Sequence, residues 1–115
     1  GPGLAIAHYG SIVVNGYAKI GANCRIHEGT TIGANGLHNN SAPQIGNNVY
    51  ISAGAKIIGN ITIADNVVIG ANAVVVKSIR EKNTTWGGVP AIKISENGSD
   101  AYIVKATEIK DRRSI

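Results

Sequence analysis

The sequence contains no phenylalanine and no methionine, and aromatic residues make up only 4% of its 115 residues. Large aromatic side chains therefore contribute almost nothing to the core, although 43% of the residues are hydrophobic. Glycine, in contrast, occurs 15 times, which is about twice its average frequency. The length allows one domain at most. A core of Ile, Val and Ala with frequent Gly favours narrow coils that stack regularly.

Cysteine and long apolar runs are equally scarce. Cys24 is the single cysteine, so an internal disulfide is excluded, and we interpret this thiol as a packing residue. No run approaches the ~20 apolar residues of a membrane span, and no signal peptide is visible. We therefore expect no membrane span and a cytoplasmic location. The chain begins Gly-Pro-Gly without a methionine, which fits either a fragment of a longer protein or a protease-cleavage scar, and we expect that sequence upstream is missing.

The positive charge is concentrated late in the chain, which has a formal net charge of +4. These basic residues lack aromatic partners and match no nucleic-acid-binding motif, so we expect no nucleic acid partner. A solvated surface, a phosphate-bearing ligand and contact with an anionic surface all remain open. The residues are Lys77, Arg80, Lys82, Lys93, Lys105, Lys110, Arg112 and Arg113.

A six-residue repeat runs through the middle of the chain. The first position of each unit is Ile or Val, the fifth is usually small and apolar, and Gly, Asn and Asp gather between them. The first position is expected to point inward, and the Gly/Asn cluster supplies a tight corner where positive φ is tolerated. Three units form one triangular coil of about eighteen residues, and coils stack ~4.8 Å apart. The units begin at Ile20, Ile26, Ile32, Ile45, Ile51, Ile57, Ile63, Ile69 and Val75.

This period excludes an ordinary β-sandwich, whose strands alternate at period two and turn every ~8–12 residues. The repeat instead predicts an all-β fold, a parallel β-helix. Between Ile32 and Ile45 the spacing is thirteen residues instead of twelve, which predicts a protruding loop near 34–44. Beyond the β-helix domain at 1–91, the tail at 92–115 is expected to be partly helical, with Ser99 as its cap. Such a tail covers the open end of a β-helix.

Four segments resemble the hexapeptide-repeat acyltransferase superfamily, and within it the serine acetyltransferases and the related capsular polysaccharide O-acetyltransferases. They are residues 3–14, 31–33, 51–60 and 88–91, within a similarity that covers some four fifths of the chain. The resemblance implies a left-handed coil and an enzyme that transfers acetyl from acetyl-CoA to a hydroxyl group. It also implies a homotrimer with active sites between subunits, and no metal.

By this resemblance His8 is the general base. Histidine titrates near pH 6.5 and suits the removal of a proton from an acceptor hydroxyl. The acidic partner of this histidine cannot be placed, because Ala7 precedes it. A second histidine of the family corresponds to Ala42, which favours a sugar of surface-polysaccharide synthesis over L-serine as the acceptor and leaves both open. His27 and His38 either compensate for this loss or are surface and packing residues.

The resemblance also implies where the coenzyme lies. Small residues let a ligand approach the backbone closely. Which basic residue contacts the phosphates stays open among Lys77, Arg80, Lys82 and Lys93. The pantetheine arm is expected near Gly33, Ala34, Ala53 and Ala71, and the adenine end near Gly88 and Pro90.

Two other functions compete with this one. A zinc-dependent carbonic anhydrase on the same coil needs three histidine ligands with two of them closely spaced, whereas the three histidines here are separated by 19 and 11 residues. The non-enzymatic alternative is a catalytically inactive or ligand-binding β-helix. Release of free thiol from acetyl-CoA in the presence of an acceptor distinguishes an enzyme from this alternative.

Overall fold

The computed structural model describes residues 12–34 and 42–101, together with the backbone of residues 5–6, and within them it has thirteen short strands. The strands are β1 (Ala5–Ile6), β2 (Val13–Val14), β3 (Lys19–Ile20), β4 (Arg25–Ile26), β5 (Thr31–Gly33), β6 (Gln44–Ile45), β7 (Tyr50–Ile51), β8 (Lys56–Ile58), β9 (Thr62–Ile63), β10 (Val68–Ile69), β11 (Val74–Val75), β12 (Thr85–Gly87) and β13 (Ile92–Ser95). One 3-10 helix follows at Ser99–Ala101.

Three sheets form the faces of a left-handed prism. Sheet A contains β1, β4, β7, β10, β12 and β13 in that spatial order, sheet B contains β2, β5, β8 and β11, and sheet C contains β3, β6 and β9. All pairings are parallel except that of β12 with β13. Lys56 pairs with Val74 eighteen residues later. The predicted parallel β-helix of eighteen-residue coils is confirmed.

The first residue of each repeat unit fills the interior, as the pattern predicts. Ile26, Ile51 and Ile69 stack in successive coils and are each at most 1% exposed. Burying one such side chain contributes about 1.5–3 kcal/mol. Small residues such as Ala55 and Ala73 complete the interior rows. The core is therefore a set of aliphatic columns and needs no large aromatic ring.

The corners of the coil are made by residues with positive φ. Among these, Gly54 has a φ of 76°, and a Cβ there would meet the Oδ1 atom of Asn72 in the next coil. Asparagine is the non-glycine residue that tolerates this region of φ most readily. The Asn residues with positive φ are Asn23, Asn48, Asn66, Asn72 and Asn83.

The interruption of the repeat is larger than the sequence predicted. Ile32 pairs with Ile57 on sheet B, and Ile45 pairs with Ile63 on sheet C. Ile57 and Ile63 are six residues apart, so the thirteen residues from Ile32 to Ile45 replace six rather than twelve. The predicted single extra residue is therefore wrong, because the two units lie on successive faces with no further unit between them, and the true insertion is seven residues.

The boundary of the predicted loop also changes. Ala42 is only 2% exposed, Pro43 is buried, and β6 begins at Gln44. These three residues belong to the coil, because buried positions and a strand fix them against the neighbouring turns. The remainder of the predicted loop includes residues 35–41, which lie outside the described residues.

The strand β13 was not predicted. It runs antiparallel to β12, with Trp86 opposite Lys93 and Gly87 opposite Ile92. Ser99 begins the 3-10 helix, but it is 1% exposed and fastens the chain to two coils. Its hydroxyl donates to the carbonyl of Asn48, and its backbone N–H donates to the carbonyl of Asn66 at 3.1 Å. The rest of the predicted tail helix lies outside the described residues.

Candidate active site

Small residues stack along the corner between sheets A and B. Here the N–H of Gly54 donates to the carbonyl of Glu28, and the N–H of Asn72 donates to the carbonyl of Ala53, both at 2.9 Å. In the last coil Gly88 follows β12 at the same corner, and its carbonyl accepts from Val74 at 3.0 Å. We call Ala53, Ala71 and Gly88 the small-residue corner. It brings together three of the six residues expected to hold the coenzyme.

The other residues of that expected set are placed differently. Gly33 ends β5, and Ala34 follows it at the corner between sheets B and C. The carbonyl of Gly33 accepts a hydrogen bond from Gly59 in the next coil at 2.9 Å. The width of sheet B therefore separates Gly33 and Ala34 from the small-residue corner of the same chain. Pro90 is exposed and lies two residues beyond Gly88.

A groove of about 290 Å³ lies beside Pro90, at the end of the coil stack. Its wall includes Trp86, a half-buried side chain whose Nε1–H donates to the Thr84 hydroxyl at 2.9 Å. The Thr84 hydroxyl donates in turn to the carbonyl of Glu81 at 2.8 Å, so the indole is fixed in place. The groove is mostly apolar, with one charged group. Its lining is Val75, Val76, Lys77, Ser78, Ile79, Trp86, Pro90, Ala91 and Ile92.

The four basic residues considered for the phosphates occupy different surroundings. Lys93 lies 2.8 Å from Glu81 and 2.5 Å from Glu96, measured from Nζ to the carboxylate oxygens. The hydrogen bonds that the Lys93 ammonium donates to Glu81 and, with a smaller effect, to Glu96 raise the pKa of Lys93 above its ordinary value of 10.5. Lys82 lines a separate shallow hollow of about 270 Å³ on sheet C, and Arg80 is exposed. Lys77 alone of the four lines the groove with Pro90, and it forms no ion pair within the described part of the chain.

A cluster of His27, Glu28 and Tyr50 lies at the opposite end of the small-residue corner. The His27 and Tyr50 ring centroids are 5.1 Å apart with a tilt of 52°. Nδ1 of His27 is 4.0 Å from Oε1 of Glu28, and the two side chains are 27% and 45% exposed. Sequence reasoning considered His27, as either a compensating or a packing residue, but missed Tyr50. Tyr50 pairs with Arg25, twenty-five residues earlier, instead of with a residue eighteen positions away. This contact can therefore be predicted only if the seven-residue insertion is added to the length of one coil.

The end of β1 lies next to this cluster. Ile6 pairs with Ile26, and His27 directly follows Ile26. His8 follows β1 by two residues in the sequence, but His8 itself lies outside the described residues, as does His38. The role of His8 as the base therefore stays a prediction. The described residues form the surface next to β1, the strand that precedes His8.

Lys56 reinforces the same corner. Its ammonium donates to the carbonyls of Gly29 at 2.7 Å and Gly54 at 2.9 Å, which belong to adjacent coils. Such charge-assisted hydrogen bonds are stronger than neutral ones. The backbone between His27 and the small-residue corner is thus held by a side chain as well as by the parallel ladder.

Cys24 is a packing residue, as predicted. It is 0% exposed, and its Sγ atom lies 3.2 Å from the carbonyl oxygen of Gly46. Burial raises the pKa of the Cys24 thiol above its ordinary value of 9.0. Because the thiolate is the reactive form of cysteine, this position is chemically quiet.

Within residues 12–34 and 42–101, no group of three His, Cys, Asp or Glu side chains is placed to hold a metal ion. No helix among the described residues has the length and apolar character needed to cross a membrane.

Comparison with known proteins gives consistent results. Residues 42–77 match the family model for the bacterial transferase hexapeptide (six repeats). The chain is 42% identical over 96 residues to a serine acetyltransferase of Staphylococcus xylosus, an alignment that covers 83% of this chain and 44% of that protein.

Solved structures give the same family. A serine acetyltransferase of Brucella abortus strain S19 in complex with coenzyme A superposes with a TM-score of 0.79 at 39% identity, covering 84% of this chain and 38% of that one. A serine acetyltransferase of Neisseria gonorrhoeae in complex with serine has a TM-score of 0.75 at 36% identity, covering 81% and 38%. The chain spans less than half the length of each of these relatives.

Proposed function

Since the chain belongs to the hexapeptide-repeat acyltransferase superfamily and is serine acetyltransferase-like, we propose that it is an acetyl-CoA-dependent O-acetyltransferase. The observation that carries this proposal is the 42% identity to a serine acetyltransferase over 83% of this chain. The small-residue corner and the adjoining groove support it, because an extended coenzyme needs a path along which backbone groups can be approached closely.

We propose L-serine as the acceptor. The relatives named above are serine acetyltransferases, and one of them was solved with serine bound. A sugar hydroxyl of a surface-polysaccharide precursor is the second candidate. It is favoured by Ala42, a buried methyl group at the position where the resemblance places a substrate-binding histidine.

In the proposed reaction His8 acts as the general base. It takes the proton from the acceptor hydroxyl as the oxygen attacks the carbonyl carbon of the acetyl thioester. The tetrahedral intermediate then collapses with cleavage of the C–S bond, which leaves the acetyl ester and a thiolate. The protonated His8 returns its proton to this thiolate, so the products are the O-acetyl acceptor and free coenzyme A. General base catalysis of this kind contributes about 10²–10⁴-fold to the rate.

The coenzyme is proposed to lie along the small-residue corner with its adenine end in the groove beside Pro90. Lys77 is then the residue that contacts a phosphate, because it lines this groove and forms no ion pair with another described residue. Lys93 is a poorer candidate, since Glu81 and Glu96 already neutralise it. A lysine that is already paired offers little net positive charge to an anion.

A homotrimer with sites between subunits is proposed on the placement of Gly33 and Ala34. These two residues and the small-residue corner lie at opposite edges of sheet B in one chain. They line a common coenzyme path when one copy of the chain presents its small-residue corner beside the other corner of a second copy. A cytoplasmic location is proposed with it, supported by the lone buried thiol of Cys24, which suits a reducing compartment.

A thiol-release assay with acetyl-CoA tests the enzyme. Wild type and His8→Ala are compared with L-serine and with a panel of free and nucleotide-linked sugars as acceptors. We expect turnover with L-serine that falls at least about 10²-fold in the variant. Equal rates in the two proteins exclude His8 as the base. Absence of thiol release with every acceptor overturns the proposed activity in favour of a ligand-binding β-helix.

A further inference from the structure

The cluster of His27, Glu28 and Tyr50 holds two groups of opposite character on an accessible surface. The imidazole Nδ1 and the carboxylate Oε1 are 4.0 Å apart, which is too long for a hydrogen bond. Their side chains are 27% and 45% exposed, so a small ligand can reach both. An imidazole carries an N–H donor even when it is neutral, whereas an ionised carboxylate only accepts. The pair therefore presents a donor and an acceptor side by side.

This arrangement is complementary to a zwitterion. A free α-amino acid carries a carboxylate and an ammonium group on one carbon atom, at a separation similar to that of the two side chains. We infer that His27 and Glu28 form the acceptor subsite, in which His27 donates to the α-carboxylate and Glu28 accepts from the α-ammonium of an amino-acid acceptor such as L-serine. This inference rests on the proposed function and assigns its acceptor to named residues.

The position of the cluster along the coil supports this assignment. Ala53, Ala71 and Gly88 lead from the groove at one end of the stack to the carbonyl of Glu28 at the other. If the adenine end occupies the groove, the thioester end of an extended coenzyme points toward His27 and Glu28. The acceptor hydroxyl must be within reach of that thioester for transfer to occur. The cluster therefore lies at the end of the path where the acceptor is needed.

Tyr50 acts here as a positioning residue. Its ring packs against the His27 imidazole with a centroid separation of 5.1 Å, within the range of favourable aromatic pairs. The backbone N–H of His27 donates to the carbonyl of Ile51 at 3.1 Å, so the main chain on both sides of the contact is part of the ladder. The orientation of the imidazole is thereby fixed before an acceptor arrives.

The inference is tested with the full chain and three acceptors: L-serine, L-serinamide, which lacks the carboxylate, and 3-hydroxypropionate, which lacks the ammonium group. Each is assayed by thiol release with wild type, His27→Ala, Glu28→Gln, Tyr50→Leu and Tyr50→Phe. Lys19→Gln serves as a control, because it removes a charge from an exposed position on sheet C. The KM for acetyl-CoA is measured in every variant.

We expect His27→Ala to raise the KM for L-serine about tenfold and to leave the KM for L-serinamide unchanged. A tenfold rise is typical of a lost hydrogen bond to a charged group. Glu28→Gln is expected to raise the KM for L-serine and to spare 3-hydroxypropionate. Tyr50→Leu should share the His27→Ala phenotype more weakly, and Tyr50→Phe, which keeps the ring beside the imidazole, should raise the KM for L-serine less than Tyr50→Leu does. Lys19→Gln and the KM for acetyl-CoA should show no change.

Two results overturn the assignment while the proposed acetyltransferase stands. One is an equal rise in the KM for L-serine and for L-serinamide in His27→Ala, which shows that His27 does not bind the carboxylate. The other is turnover by wild type with a sugar but not with L-serine, which keeps the proposed acetyltransferase and removes the amino-acid subsite. If wild type releases no thiol with any acceptor but binds coenzyme A in a calorimetric titration, the activity itself fails, and this inference fails with it.

Discussion

The carboxylate of Asp65 accepts a hydrogen bond from the backbone N–H of Asn47, one coil earlier, at 2.7 Å between Oδ1 and N. The side-chain oxygen of Asn47 accepts in the same way from the N–H of Ala22 at 2.8 Å. Each side chain thus satisfies a backbone donor in a corner, where the parallel ladder has ended. The corner between sheets C and A is therefore held by a chain of side-chain acceptors.

Removing this acceptor should destabilise the fold. For Asp65→Ala we expect the free energy of unfolding to fall by about 1 kcal/mol, because the N–H of Asn47 loses its partner and water compensates only in part. Urea unfolding followed by the fluorescence of Trp86, the single tryptophan, measures it. Asp65→Asn keeps an oxygen acceptor and should lose less than half as much. An equal loss in both variants contradicts the role of the hydrogen bond.

Gly54 should tolerate no side chain. Its φ of 76° strains any other residue, and a Cβ would meet the Oδ1 atom of Asn72. We expect Gly54→Ala to lower the free energy of unfolding by about 1–3 kcal/mol. Gly16→Ala is the matched control, because a Cβ at Gly16 meets nothing within 4 Å, and a change below about 0.5 kcal/mol is expected there. Similar losses in both variants contradict the steric argument.

Cys24 should stay unreactive until the chain unfolds. Its thiol is buried and its pKa is raised above 9.0, so the folded protein should react with a thiol reagent only through unfolding. The raised pKa means that the folded state holds this proton more tightly than the unfolded state. This contribution to stability is fully present below about pH 9, the pKa of the unfolded thiol, and it is lost as the pH rises from there through the higher pKa of the folded thiol.

Reagent kinetics at increasing urea, together with unfolding curves at pH 7 and pH 10, check these statements. Cys24→Ala should show a smaller loss of stability between the two pH values than wild type. Rapid labelling in the absence of urea contradicts the burial of the thiol.

Lys77 and Lys93 should differ in their effect on the coenzyme. If the proposed coenzyme path is correct, Lys77→Gln raises the KM for acetyl-CoA several-fold without changing kcat, because it removes a charge that faces the groove. Lys93→Gln should leave this KM unchanged, since the lysine is paired with Glu81 and Glu96. Steady-state kinetics at saturating acceptor measure both values. A larger effect from Lys93→Gln reverses the assignment.

The six-residue period was sufficient to predict the coil. It places Ile57 and Ile63 inward without any knowledge of the rest of the chain, because a narrow interior accommodates one Ile or Val and one smaller residue from each repeat unit. It was insufficient for the insertion after Ile32, since a periodic pattern counts residues and does not say which face they occupy. The strand β13 was also missed, because Ile92 and Ile94 are both 65% exposed and follow no buried pattern.

The candidate site was predicted in part for the same reason. Resemblance to a family supplied Ala53 and Ala71, and the fold stacks them in one corner as a repeat must. The contact of His27 with Tyr50 depends on register across the insertion, which sequence spacing did not give. Likewise, Lys93 differs from Lys77 because it forms ion pairs with Glu81 and Glu96. These ion pairs can be recognised only once β12 and β13 are known to be paired.

The reversal of the chain at β13 decides where the stack of coils can grow. A parallel strand at the end of the stack presents a row of unpaired N–H and C=O groups. Another coil, or another molecule, can pair with this row. Because β13 runs back along β12, it occupies that row in the last coil of sheet A with a strand of the opposite direction. Lys93 on this strand forms an ion pair with Glu96, which directly follows the strand. The same hairpin that shapes the groove therefore also protects this face of a repetitive fold from end-to-end fibre formation.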